Sequence, residues 1–168
     1  MEYKKNIVLI GMPGAGKSTL GVLLAKSVNY SFLDTDLVIQ QRQKRKLYEI
    51  IEEQGIDAFL DIENSTLQDI EVKNTVIATG GSAVFGMKAM EHLRENGIIV
   101  YIRLSLEEIE RRVNNIKTRG IAMKKGKTLA DVYVERIPLY EKYADIVIDG
   151  DSTTIEEGVE LIINALYK

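Results

Sequence analysis

The sequence predicts an α/β protein in three layers, a five-stranded parallel sheet flanked by helices. Three observations predict it. Five short apolar runs, most of them rich in β-branched residues, recur along the chain, helical stretches separate them, and the first three runs end in glycines or paired acids. Parallel strands are joined by helical crossovers that cover both faces of the sheet, so they read as short continuous apolar runs.

The elements follow in order. "NIVLIG" (6–11) reads as a fully buried strand, and "KSTLGVLLAKSV" after it as a helix whose Leu20, Leu23 and Leu24 share one face. "YSFLDTD" (30–36) is a second short strand. Residues 37–72 are polar-rich helical sequence broken near Gly55, a C-cap. "TVIATGG" (75–81) is the third strand, "MKAMEHLREN" a helix that stops at Gly97, and "GIIVYIRL" (97–104) the fourth strand. Ser105 with Glu108 forms a capping box that opens "LEEIERRVNNI". Thr128 and Asp131 open a helix through about Lys142, "ADIVIDG" (144–150) is the fifth strand, and Thr154 with Glu157 caps the last helix. With no repeat, low-complexity stretch or linker, residues 1–168 are expected to form one domain.

Composition narrows the chemistry. The chain has 168 residues, no cysteine, one histidine (His92) and a net charge of −3. Thiol nucleophiles, zinc thiolate sites and multi-histidine metal cages are excluded, and the acidic balance argues against a general nucleic-acid binder. No apolar run reaches the ~20 residues that span a bilayer. "MEYKK" leads into a strand with no signal-peptide core, so a cytoplasmic monomer that meets neither membrane nor nucleic acid is expected.

In parallel sheets ligands sit beyond the carboxyl ends of the strands, and here the first three ends carry "GMPGAG", "DTD" and "TGGS". "GMPGAGKS" satisfies G-x-x-x-x-G-K-[ST] between a strand and a helix. Its glycines allow successive amides to turn inward, and the helix N-terminus adds its dipole at the same point. Residues Gly14, Ala15, Gly16, Lys17, Ser18 and Thr19 are therefore expected to cradle a nucleoside triphosphate. Lys17 would meet the β- and γ-phosphates, and the Ser18 hydroxyl Mg²⁺. No guanine-reading N-K-x-D motif is present, and size and motif placement favour a small-molecule kinase over a signalling GTPase or a motor.

On the acceptor side, Asp34 and Asp36 stand two apart at a strand end. One can face the metal shell, and the other can take the proton of an attacking hydroxyl. Both could instead serve as helix caps, a role that Asp36 fits well. Gly80 and Gly81 let a ligand pack against the backbone. Residues 114–127 hold Lys117, Arg119, Lys124, Lys125 and Lys127 with no acid, as a lid over the triphosphate would, with Arg119 on the transferring phosphoryl group. A solvated basic loop would look the same. "QRQKRK" (41–46) reads as an exposed helix face whose cations suit a C-terminal dipole, and His92 is assigned no role.

Taken in order, "GMPGAGKS", "FLDTD", "VIATGGSAV", "TRGIAM" and "ERIPLYEKYAD" resemble the shikimate kinases over nearly the whole chain. The resemblance implies a three-layer P-loop kinase fold with a mobile lid, ATP and Mg²⁺, and transfer to a hydroxyl of shikimate. It places Ser18 and Asp34 at the metal, Asp36 on the acceptor hydroxyls and Arg119 on ATP. Gly80 and Gly81 would touch the acceptor, and Arg136 would pair with its carboxylate. The sequence departs from the family pattern where a second carboxylate-binding arginine is expected: "GIDAFLDIE" has Leu60 there. Ser82 replaces the third glycine of a triple-glycine run, the lid lacks an Arg-Pro-Leu-Leu run, and no arginine follows "VIDGD". Losing one arm of a charged clamp costs on the order of 2 to 5 kcal/mol of binding. Three readings stand at this point: a shikimate kinase with an altered clamp, a kinase of another small hydroxylated metabolite with Leu60 in its acceptor site, and a nucleotide-binding regulatory module without turnover.

Overall fold

A computed structural model describes residues 5–113 and 121–168. Five strands form one sheet in the order β2-β3-β1-β4-β5, every neighbouring pair parallel. They are β1 (Asn6–Ile10), β2 (Ser31–Asp34), β3 (Thr75–Ala78), β4 (Gly97–Arg103) and β5 (Ile146–Asp149). Each strand is shorter than its apolar run, because residues at the run ends, among them Gly11, Asp36 and Gly80, leave the ladder. β1 and β3 are buried along their whole length, whereas β2 at the sheet edge is only half-buried.

The helices are α1 (Lys17–Val28), α2 (Thr35–Gln43), α3 (Leu47–Gln54), α4 (Ile56–Gln68), α5 (Met87–Glu95), α6 (Leu106–Val113), α7 (Leu129–Tyr143) and α8 (Ile155–Leu166), with a 3-10 turn at Ala83–Phe85. Successive side chains of a strand point to opposite faces. On β1, Leu9 meets α1 at Gly21, and its neighbour Val8 lies near Gly97 and Leu93, the side that α5 covers. α8 packs on α1, and α4 packs on α5. Among the described residues no helix is long and apolar enough to cross a membrane.

The stretch expected as helix with one break near Gly55 has two breaks. Gly55 does cap α3, its N–H bonding the Ile51 carbonyl. α2 has already ended at Lys44, which adopts a left-handed conformation (φ 55) and donates its N–H to the Gln40 carbonyl. "QRQKRK" is therefore a helix end and a turn rather than one helix face. Arg42 pairs with Asp69 at 3.0 Å and Arg45 with Glu53. The box expected at α6 is half formed: the Glu108 amide donates to Ser105 Oγ (3.2 Å), while the Glu108 carboxylate is taken by Arg111 and Arg112. Those two guanidinium groups hold Glu108 down at about pKa 2. The box at Thr128 and Asp131 is complete.

Candidate active site

β1 lies between β3 and β4, so the chain crosses the sheet after β3 and opens a crevice beyond the carboxyl ends of β1 and β3. The principal pocket is there. Its walls include Pro13, Gly14 and Gly16 to Thr19 of the phosphate loop, Asp36, Phe59, Gly80, Gly81, Ser82 and Arg136. Segments far apart in sequence thus meet as the strand-end pattern predicts.

The phosphate side is built by local geometry. Gly14 and Gly16 both have φ of 83°, open to glycine and strained for other residues, and this turns the loop's amides toward the pocket. Gly16 is the N-cap of α1 and gives no side-chain cap, and the first turn of α1 holds no acid. The opening amides of α1 are thus left for an anion. Lys17 is buried, and its ammonium donates to the carbonyls of Gly11 and Met12, each at 2.8 Å. It forms part of the loop's own fabric as well as lining the pocket. Ser18 Oγ donates to Asp34 Oδ2 (2.8 Å).

Asp34, not Asp36, caps α2. Asp34 Oδ1 accepts from the amides of Asp36 (2.9 Å) and Leu37 (3.4 Å), and this corrects the reading that Asp36 suited that role. The two acids diverge as their spacing allows: Asp34 reaches Ser18, while Asp36 faces the pocket beside Gly80. A hydroxyl and a carboxylate side by side are hard oxygen donors. They suit Mg²⁺, which takes one or two protein oxygens and completes its shell with phosphate and water.

On the other side of the pocket the chain runs close upon itself. A Cβ on Gly81 would fall 2.6 Å from Pro13 Cδ, so only glycine lets the loop after β3 touch the phosphate loop. Tyr140 of α7 donates to the Gly81 carbonyl (2.5 Å) and stacks on Tyr101 of β4 with ring centroids 5.1 Å apart. Arg136 comes from one turn earlier in α7 and is 2% exposed. One nitrogen, Nη2, donates to the Ala122 carbonyl, and the guanidinium lies over the Phe85 ring at 5.4 Å. Its Nε and Nη1 have no hydrogen-bond partner among the described residues. A buried cation with two unused donors is suited to a carboxylate ligand.

Leu60 is half-buried, packs against the core and is not among the residues lining the pocket, whereas its neighbour Phe59 is. Ala15 and Asp34 lie behind the lining as well. Of the segment 114–127, residues 114–120 fall outside the described residues, and Lys117 and Arg119 with them. Ile121 and Ala122 line the pocket, and Lys127 forms an ion pair with Glu135, so the expected run of cations does meet an acid from α7.

Two functional candidates escaped the sequence reading. Arg112 of α6 reaches the carbonyls of Gly14 and Ala15 at 3.5 and 3.4 Å while Glu108 holds its Nε at 2.9 Å, so it braces the phosphate loop. Glu63 of α4 is 2% exposed and accepts from Ser82 Oγ at 2.6 Å. Burial is the main cause that pushes the Glu63 carboxyl up to about pKa 7; Ser82 opposes the shift, Asp36 adds to it and Arg136 opposes it.

Known proteins share this architecture. The shikimate kinase family model matches residues 13–167. The chain belongs to the shikimate kinase family. It is therefore a kinase built on the P-loop scaffold. A shikimate kinase of Caldanaerobacter subterraneus is 35% identical over 98% of this chain and 97% of its own length, and one of Clostridium botulinum 38% identical over 96% and 99%. Among solved structures, the Acinetobacter baumannii shikimate kinase in complex with shikimate superposes with a TM-score of 0.90 at 30% identity, covering 98% of this chain and 94% of that one. The Aquifex aeolicus shikimate kinase gives 0.80 at 32% identity, over 96% and 95%. Because these matches cover the chains almost end to end, the family likeness includes α2–α4 and α7.

Proposed function

We propose that this shikimate kinase family member transfers the γ-phosphoryl group of ATP to a hydroxyl of shikimate, giving shikimate 3-phosphate and ADP. The observation that carries the reading is that Lys17, Asp36 and Arg136, from three distant segments, line one pocket. The amides of Gly14 to Thr19 bind the phosphates, and Lys17 turns from its loop carbonyls toward charge on the β- and γ-phosphates. Ser18 and Asp34 would hold the metal. Mg²⁺ supplies charge neutralisation on the phosphate oxygens. Arg136 receives the acceptor's carboxylate on Nε and Nη1 and so orients the ring against the backbone of Gly80 and Gly81. Asp36 accepts the proton of the attacking hydroxyl as its oxygen bonds to the γ-phosphorus and the bond to the ADP oxygen breaks. Arg119 is assigned to the transferring phosphoryl group on its motif alone.

A coupled ADP-release assay with millimolar shikimate, ATP and Mg²⁺ tests the reading. Shikimate-dependent ADP release is expected, and its absence overturns the choice of acceptor. The second reading, a different hydroxylated acceptor on the same scaffold, is favoured by one observation. Arg136 is the one arginine lining the pocket among the described residues, and Leu60 supplies no second cation. A panel of hydroxylated metabolites, anionic and neutral, separates the two.

A further inference from the structure

Glu63 is a buried acid that the phosphoryl-transfer scheme leaves unused. Ser82 fixes one of its oxygens, Oε1, at 2.6 Å. The other, Oε2, is buried with no hydrogen-bond partner among the described residues. It lies 3.1 Å from the point where a Cβ on Gly80 would stand, and Asp36 Oδ1 lies 2.6 Å from the same point. One residue further on, the corresponding point on Gly81 is 3.1 Å from Arg136 Nη1. Two acids and one cation therefore surround the glycine pair against which the acceptor packs. Leu60, one turn earlier on the same helix, offers Glu63 no charge.

We propose that Glu63, held by Ser82, is a specificity-determining residue of the acceptor site: with its proton it leaves Arg136 to an anionic acceptor, and without it it competes for Arg136. The inference rests on the reading of the acceptor as a carboxylate. From α2 Glu63 is faced by Asp36, from α7 by Arg136 and from the loop after β3 by Ser82, while the 3-10 turn brings only apolar side chains. α3 carries Glu49, Glu52 and Glu53, α5 carries Lys88, Glu91, His92, Arg94 and Glu95, and α4 itself adds Asp57 and Asp61; none of these hydrogen-bonds to the Glu63 carboxyl. Burial raises its proton affinity so that it titrates at about 7. Below that pH Glu63 adds no charge beside Arg136. Above it, a second negative charge in a low-dielectric wall offsets Arg136 and repels the incoming carboxylate.

The test has two parts. In the protein alone, ¹³C NMR of the glutamate carboxyls should show one titration near pH 7 that Glu63→Gln removes. A Glu63 midpoint within the ordinary range of about 4 to 5 overturns the inference, whatever the substrate. In the assay, the KM for shikimate should rise about tenfold from about pH 6 to about pH 9, while the KM for ATP follows no such step. Glu63→Gln should flatten the shikimate profile. Ser82→Ala removes the bond that favours the ionised form, so it should move the rise to higher pH, and it carries the same test if Glu63→Gln fails to fold. A wild-type KM that stays within about twofold, or a Glu63→Gln profile like the wild type's, overturns the inference. Absence of shikimate turnover at every pH would overturn the acceptor reading, and the NMR titration would still decide whether Glu63 holds its proton.

Discussion

The glycine-rich side of the pocket is one continuous segment, residues 11–19, and it offers backbone amides, one amine and two hydroxyls. The side proposed for the acceptor is gathered from α2, α4, the loop after β3 and α7, with Asp36 and Arg136 lining the pocket and Glu63 buried beside them. A backbone cradle tolerates most side-chain changes around it, because its geometry is set by the glycines and the helix start. A wall of buried charges behaves otherwise: each group sets the field felt by the next, so one substitution alters several. The two sides should therefore fail differently when mutated.

Lys17→Ala should break the phosphate side with the largest effect, lowering kcat at least about a thousandfold, or ~4 kcal/mol. Circular dichroism should show the fold retained, and thermal melting a loss of about 1 to 2 kcal/mol for the two bonds to the Gly11 and Met12 carbonyls. Retention of more than about a tenth of wild-type turnover, about 1.4 kcal/mol, would take Lys17 out of the chemistry.

Asp36→Asn should come next, lowering kcat by about a hundredfold while the KM for ATP stays within about twofold, since the amide keeps its shape and cannot take a proton. Equal losses in nucleotide affinity and rate would move Asp36 into the metal shell in place of Asp34. Arg136→Leu should raise the KM for shikimate by about 30- to 100-fold, about 2 to 3 kcal/mol, with the KM for ATP unchanged. A parallel rise in both would show that the two sides do not act separately.

The smallest expected effect sharpens the contrast. Leu60→Arg should tighten shikimate binding about tenfold, about 1.4 kcal/mol, by supplying a second cation to the carboxylate. Its KM decides between the two acceptors: a lower value supports shikimate, and a higher one supports a substrate that needs an apolar residue at this position.

The same contrast explains what could be read from the sequence. The five strands, the run of α1 from Lys17 to Val28 and the cradle were legible because their signals are contiguous: an apolar run, a glycine pattern and a lysine at fixed spacing. Asp34 and Asp36 were legible as a pair, and the family resemblance divided their roles, but which of them caps α2 was not legible, since both can cap a helix and only the folded backbone decides it. The break at Lys44 was hidden because nothing in a lysine announces a left-handed turn. Glu63 and Ser82 lie 19 residues apart, and a glutamate inside a polar-rich helix reads as solvent-facing until the fold buries it. Arg112 sits in the charged run "EEIERR", which no spacing rule distinguishes from an ordinary exposed face.

The contact between Gly81 and Pro13 limits how this scaffold can be re-targeted. Any side chain at position 81 would press on the phosphate loop within 2.6 Å, so that wall cannot be enlarged or reduced without disturbing nucleotide binding. The Tyr140 bond to the Gly81 carbonyl pins the same segment from its other side. Mutational drift and laboratory selection for new acceptors are thereby channelled to α3 and α4, whose Leu47, Phe59 and Leu60 lie outside the phosphate loop. Libraries confined to those three positions should yield more active variants than libraries of equal size that include position 81.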